Sequence, residues 1–307
     1  MKRIITLITA AALLITGILA LTGCGGGSGS AGDVSTESSV EGSAEDSGGT
    51  GKVTVIDIPL TEEEYAFGVD KNQPELLEEV NKFIAQIKSD GTFDKICEKY
   101  FGGGTPEAVV SAKPDASKDQ LVIATNAGFE PFEYTAAAVD QYYGVDMEIA
   151  ALLAKQLGKE LVISNMDFEA VCLSVGQGKA DIAMAGLTIK EDRKEYVNFS
   201  DKYYDAAQKI ISMTSDKAFD GCKEAADVEK ILKGLPAETK IGVQTGTTGQ
   251  FYVEGDKDWG FEGYNVKCVG YKSGSLAVQD MINGNIDYVI IDEAPANSIV
   301  NAINELN

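Results

Sequence analysis

No histidine occurs in the 307 residues, and basic side chains are scarce: 26 Lys+Arg stand against 48 Asp+Glu, for a formal charge of −22. The missing imidazole removes the usual general base near neutral pH, any Ser-His or Cys-His nucleophile, and histidine ligation of a metal. Carboxylates, lysines and tyrosines still offer acid–base chemistry, so catalysis is disfavoured. The expectation is no catalytic residue, no metal and no cofactor. The acidic surplus repels nucleic acid and anionic lipid and argues against both as partners. A hydrophobic fraction of 44% nonetheless supports a sizeable core, in one large two-lobed domain or two ordinary ones.

The chain opens MKRIITLITAAALLITGILALTGC. Lys2 and Arg3 precede an apolar run from Ile4 to Leu21 that is long enough for a membrane helix. The run ends in Leu21-Thr22-Gly23-Cys24, which resembles the lipobox, where a signal peptide is cut before a cysteine that then carries lipid. Residues 1–24 are therefore expected to be a lipoprotein signal peptide with Cys24 as the lipidation site; an uncleaved anchor is the other reading. Either way the body is expected outside the cytoplasm; on the lipoprotein reading it is lipid-anchored to the bacterial cell membrane. Residues 25–52 carry almost no large apolar side chain and predict a flexible tether, whose reach is about 30 Å. Cys97 and Cys172 lie in apolar helical patterns and are expected as buried free thiols. Cys222 and Cys268 stay open between a disulfide and free thiols, because spacing alone does not decide.

From residue 120 onward short apolar runs alternate with amphipathic helices. LVIAT (121–125), ELVIS, DIAMA (181–185), KIGVQ (240–244), VKCVG (266–270) and DYVIID (287–292) read as strands. Helices are expected from Asp146 to Gly158, from near Phe168, and from Gly274 to Asn283. That alternation implies parallel sheets covered by helices, in two blocks before and after Lys209-Ile210-Ile211. A cleft between two α/β lobes is then the default ligand site. Upstream, VTVID and YAFGV read as short strands, and Pro74 to Ser89 as a helix with Leu76, Leu77, Val80, Phe83, Ile84 and Ile87 on one stripe. Residues 102–119 return to linker composition.

The lines LVIATNAGFEPFEY, GVDMEIAALLAKQLG, MDFEAVCLSVGQGKADIAMAGLTIKEDRKEYVNFSDKYY and AAQKIISM resemble, in order, the first part of the polar-amino-acid solute-binding proteins (family 3) of ABC importers. KIGVQTGTTGQFY and INGNIDYVIIDEAP resemble that family's second part. Residues 53–101 are similar to the family's C-terminal end but precede its first strand, while the chain stops at Asn307 where that end would follow. The resemblance thus implies a type II periplasmic-binding-protein-like α/β fold, two lobes joined by two crossover segments, in circularly permuted order. Lobe 1 would comprise 65–206, including the linker 102–119 that joins the family's usual termini; lobe 2 would comprise 53–64 and 207–307. Crossovers would lie near 65–67 and 204–208. Extended, 18 residues span about 60 Å at most, enough to cross a lobe roughly 35 Å wide. A lost tandem copy and a swapped dimer are the other readings of 53–101.

By the same resemblance the protein binds a free polar L-amino acid, docks on the permease subunits of an ABC importer, and is a monomer. Arg193, with Thr188 five residues before it, is implied for the ligand carboxylate, together with Thr247 and Thr248 after Gly246 at a helix start. Asp292, the Gly186 carbonyl and the Thr188 hydroxyl are implied for the ammonium. Asn126, Phe129, Phe168 and Gln244 are implied for the side-chain pocket. An amide at Asn126 leans toward a neutral ligand, although Glu130 and Glu169 lie near in sequence. The alternatives are a dehydratase-like enzyme on the same fold and a ligand-sensing domain for a separate partner.

Overall fold

The computed structural model describes residues 52–136 and 140–306. The expected signal peptide, Cys24 and all but the last residue of the tether lie outside the described residues.

Elements form where the side-chain pattern asks for them. Helix Pro74–Ser89 starts on a proline, at a turn that needs no donor, and buries Val80, Phe83, Ile84 and Ile87 on one face. Strand Tyr288–Asp292 is buried at every residue, as a central strand covered on both faces must be.

Two five-stranded sheets carry the fold. One runs Val53–Ile56, Gln208–Met213, Tyr288–Asp292, Lys240–Gln244, Lys267–Tyr271. Its last three strands are parallel, and its first two are each antiparallel to the next. The other runs Val197–Phe199, Gly68–Asp70, Ile182–Ala183, Gln120–Thr125, Glu160–Asn165. It is parallel over its last three strands and antiparallel on both sides of Gly68–Asp70. The chain passes between the sheets twice, and each crossing carries a short strand: Glu63–Tyr65 pairs antiparallel with Tyr204–Ala206. Residues 53–101 therefore pack within their own chain, giving one strand to each large sheet and the helices Pro74–Ser89 and Thr92–Phe101.

Some expectations need correction. YAFGV is not one strand, because the chain breaks at Ala66-Phe67 into Glu63–Tyr65 and Gly68–Asp70 as it changes sheets. DIAMA shortens to Ile182–Ala183, and the helix near Phe168 begins as a 3-10 turn, Phe168–Ala170, before Val171–Gly176. The 102–119 segment is not all linker. Val109 is buried, and Val109–Val110 forms an edge strand on Gln141–Tyr143. Next to it the Ser111 hydroxyl accepts the Ile163 N–H at 2.8 Å, so Val109 and Ser111 together pin a polar run to the surface. Among the cysteines, Cys172 is buried as expected, whereas Cys97 is only half-buried. Cys222 and Cys268 are free thiols.

Candidate functional site

Several strands end toward one place. Gln120–Thr125 leads into Asn126 and Phe129, Lys240–Gln244 leads into Gly246 to Thr248, and Tyr288–Asp292 ends on Asp292 itself. Loops at the carboxyl ends of parallel strands are where open α/β sheets place ligands. A small cavity lies there, lined by Phe129, Phe168, Gly186, Thr188, Arg193, Gln244, Thr247, Thr248 and Asp292. These are nine of the ten contact residues expected from sequence. Asn126 does not line it. Both ends of its amide are used inside the protein, the nitrogen donating to the Met166 carbonyl at 2.7 Å and the oxygen accepting from Gln244 Nε2 at 2.9 Å.

The cavity has a basic end. Arg193 is 9% exposed, and its guanidinium donates to the Thr188 carbonyl at 2.7 Å and, across the cleft, to the Gly246 carbonyl at 3.0 Å. It lies 5.2 Å from the centre of the Phe168 ring, whose face favours a cation. Gly246 has φ +79°, and a Cβ there would stand 2.7 Å from the Glu169 side chain, so only glycine lets the two lobes meet at this point. The Gly246 N–H is taken by Gln250 Oε1 at 2.8 Å, and the Thr247 hydroxyl donates to the Gln244 carbonyl at 2.7 Å.

The opposite end is acidic. Asp292 accepts the Tyr65 hydroxyl at 2.5 Å. Burial, then the nearby Glu63 carboxylate, push the Asp292 carboxyl above its ordinary range. Glu63 is itself buried and accepts three donors: the Thr188 hydroxyl at 2.8 Å, Gln208 Nε2 at 2.9 Å and the Thr61 hydroxyl at 2.7 Å. The Thr188 proton is thereby committed to Glu63; its oxygen accepts the Thr248 hydroxyl at 3.5 Å and keeps a second lone pair for a donor in the cavity. Gly186, at φ +51°, donates its N–H to Asp146 at 3.0 Å; a Cβ there would fall 2.6 Å from the Phe129 ring. Burial pushes Asp146 up to about 7, although the Gly186 N–H and the Tyr203 hydroxyl pull it back. Behind it Glu133 is fully buried with no partner on either carboxyl oxygen among the described residues. Burial, Asp146 and Asp292 together hold Glu133 well above the carboxylate range.

Residues 6–103 and 121–297 match the bacterial extracellular solute-binding proteins, family 3, over most of the chain. The protein belongs to that family. Its similarity to the arginine-binding extracellular protein ArtP of Bacillus subtilis is 31% identity, over 59% of this chain and 64% of that one. A probable histidine-binding protein of Neisseria gonorrhoeae is 29% identical, over 60% of this chain and 63% of its own length. The matched stretch thus spans somewhat under two thirds of these relatives. Among solved structures, a Gly52Ala mutant of arginine-bound ArgBP from T. maritima overlays with a TM-score of 0.50 at 29% identity, covering 60% of this chain and 78% of that one.

Sequence reasoning missed Glu63, Tyr65 and Gln208 at the acid end of the cavity. Glu63 and Tyr65 are buried on one face of a strand with exposed Glu64 between them, a two-residue alternation present in the sequence. Apart from Thr61 beside Glu63, what they touch lies more than a hundred positions away, and no local signal carries that.

Proposed function

We propose that the protein captures a free polar L-amino acid in the cleft between its lobes, outside the cytoplasm, and delivers it to the permease of an ABC importer. One observation carries the reading: a single cavity holds a guanidinium at one end and a carboxylate with hydroxyl acceptors at the other, the arrangement a zwitterion requires once water is excluded. Arg193 would take the ligand carboxylate, helped by Thr248 at the helix start and by Thr247 once its hydroxyl turns from the Gln244 carbonyl. Asp292, the Thr188 oxygen and the Gly186 carbonyl would take the ammonium. Phe129 and Phe168 would cover the aliphatic stem.

The Gln244 amide oxygen is buried and has no partner among the described residues, so it favours a ligand side chain that donates N–H. Both Asn126 groups are engaged internally, so Asn126 says little about ligand charge. The names of the arginine- and histidine-binding relatives make those two amino acids the first to test, and the preference of the Gln244 oxygen for an N–H donor adds glutamine.

Within the same proposal, Cys24 carries the lipid, the body is a monomer, and the chain order is circularly permuted with the lobes divided as 65–206 and 53–64 plus 207–307. The position of Gly68–Asp70 between strands of 182–183 and 197–199 supports the permutation, since a segment near the start fills an interior place in the sheet. Calorimetry of the folded protein against the twenty amino acids tests the function. Saturable one-to-one binding of at least one is expected, and binding of none defeats the reading. Proteolytic cleavage within the exposed residues 113–119 tests the joined ends: the two pieces should stay together and still bind, whereas ready loss of the 53–101 piece counts against it.

A further inference from the structure

A lysine outside the cavity is buried against the opposite lobe. Lys190 stands three residues before Arg193, in the loop whose Ile189 N–H donates to the Glu64 carbonyl at the crossing strands. Its side chain is 5% exposed. The ammonium lies 2.7 Å from Asp192 on its own loop, 3.1 Å from Asp256, and 4.2 Å from the centre of the Phe251 ring. Phe251 belongs to helix Thr248–Glu254, which packs on Lys240–Gln244 and Tyr288–Asp292, and Asp256 follows that helix by two residues.

The receiving side is built independently of the lysine. One Asp256 oxygen accepts the N–H groups of Asp258 at 2.9 Å and Trp259 at 3.2 Å, which leaves the other oxygen for Lys190. Backbone bonds in both directions between Asp256 and Phe261 fix the loop, and Trp259 stacks on Phe261 with centroids 5.5 Å apart. Burial opposes charge on Asp256, yet the Lys190 ammonium and those N–H groups hold its carboxyl below the ordinary range.

Burying an ammonium is unfavourable unless it is paired. Separating the lobes would leave Lys190 its local Asp192 and water, and would remove Asp256 and Phe251. A second cross-cleft pair, Lys272 with Asp167, is largely exposed on both sides and so contributes little. We propose that Lys190, docked between Asp256 and Phe251, is a latch that favours the closed arrangement and thereby strengthens binding of every ligand by the same factor. It rests on the proposal above that an amino acid is held in the cleft between the lobes, and takes that cleft to close around it. A latch changes the fraction of protein in the binding-competent state, and apparent affinity scales with that fraction whatever the ligand. A direct ligand contact would instead act selectively.

The test compares the full chain with Lys190→Met, which keeps the apolar stem and removes the charge, and with Asp256→Asn. Small-angle scattering without ligand, fluorescence of Trp259, and calorimetry with arginine, histidine and glutamine are read together. Trp259 is the one tryptophan of the chain, so the signal has a single source beside the latch. Expected are a larger mean radius of gyration, a changed Trp259 emission, and about tenfold weaker binding of each amino acid that binds, equal within about twofold between ligands. The double variant should be no worse than the worse single one. If Lys190→Met does not fold, Asp256→Asn, on the more exposed partner, gives the same reading. Unchanged scattering with unchanged affinity overturns the latch, and so does a loss confined to one ligand. Should the unaltered protein bind none of the three, the latch is judged by scattering alone: a difference between it and the variants sustains it, and identical curves overturn it.

Discussion

The two ends of the cavity are built on different principles. At the basic end one residue, Arg193, carries the charge, and its hydrogen bonds run to main-chain carbonyls of Thr188 and Gly246. A guanidinium does not lose its proton at any pH a protein survives, so this end stays constant. At the acidic end two carboxylates stand near each other, Asp292 accepting Tyr65 and Glu63 accepting Gln208 and Thr188. Burial lifts Asp292, and its charge depends on pH and on what lies opposite it. One end is a fixed anchor; the other is a network that the ligand itself completes.

Removing the anchor should have the largest effect. Arg193→Ala should weaken binding of whichever amino acid is found by at least about 100-fold, because the ligand carboxylate would stay buried without a counter-charge. Calorimetry checks this, and an unchanged affinity refutes the assignment. Asp292→Asn should cost roughly 30-fold or more, since a neutral amide still accepts one hydrogen bond but no longer offsets an ammonium.

Next comes pH. The ligand-free site holds a proton on Asp292 more readily than a site whose carboxylate faces an ammonium, so binding expels protons where Asp292 is partly protonated. Affinity should therefore fall as pH is lowered from about 8 toward 5.5, by up to about tenfold per unit below the ligand-free pKa. Calorimetry in buffers of different ionisation enthalpy should register proton release. Flat affinity over that range would place the ammonium elsewhere.

A smaller loss, about five- to tenfold, is expected for Glu63→Gln, which keeps an acceptor for Thr188 and removes the second negative charge. The pH dependence should also shift, because Asp292 would lose the neighbour that raises its pKa. A merely structural Glu63 would lower melting temperature and leave the pH profile of binding in place.

The smallest effect lies behind the site. The folded value for Asp146 is near 7 against an ordinary 3.8, so the fold binds more protons than the unfolded chain between those values. The stability linked to Asp146 is complete below about pH 4 and is lost as pH rises through 7. Asp146→Asn should therefore melt higher relative to the unaltered protein at pH 8 than at pH 5, by a few degrees. Parallel melting curves at both pH values would contradict that burial effect.

How legible each end was in the sequence follows from the same contrast. Gly186, Thr188 and Arg193 fall within eight consecutive residues, GLTIKEDR, so one contiguous run both resembled a known pattern and delivered its chemistry to one place. Asp292 was readable as an acid closing an apolar strand. Glu63, Tyr65 and Gln208 were not, because their burial depends on strands 63–65 and 204–206 pairing where the chain changes sheets. Asn126 shows the converse. Its position near the cleft was legible, whereas its engagement with Met166 and Gln244 depends on the loop after Glu160–Asn165 and on the opposite lobe. Lys190 carried no signal, since an exposed-looking lysine in a charged run gives no hint of an aromatic ring and a carboxylate some sixty residues later.

The claim that two opposed poles grip the backbone of an amino acid can be tested most directly with ligand analogues. The amino acid that binds best would be titrated beside the amine that lacks its carboxylate and the acid that lacks its ammonium, at pH 8. The account predicts that each analogue binds at least about 100-fold more weakly than the parent, because each leaves a buried charge, Arg193 or Asp292, without its partner. An analogue that binds as tightly as the parent would contradict it.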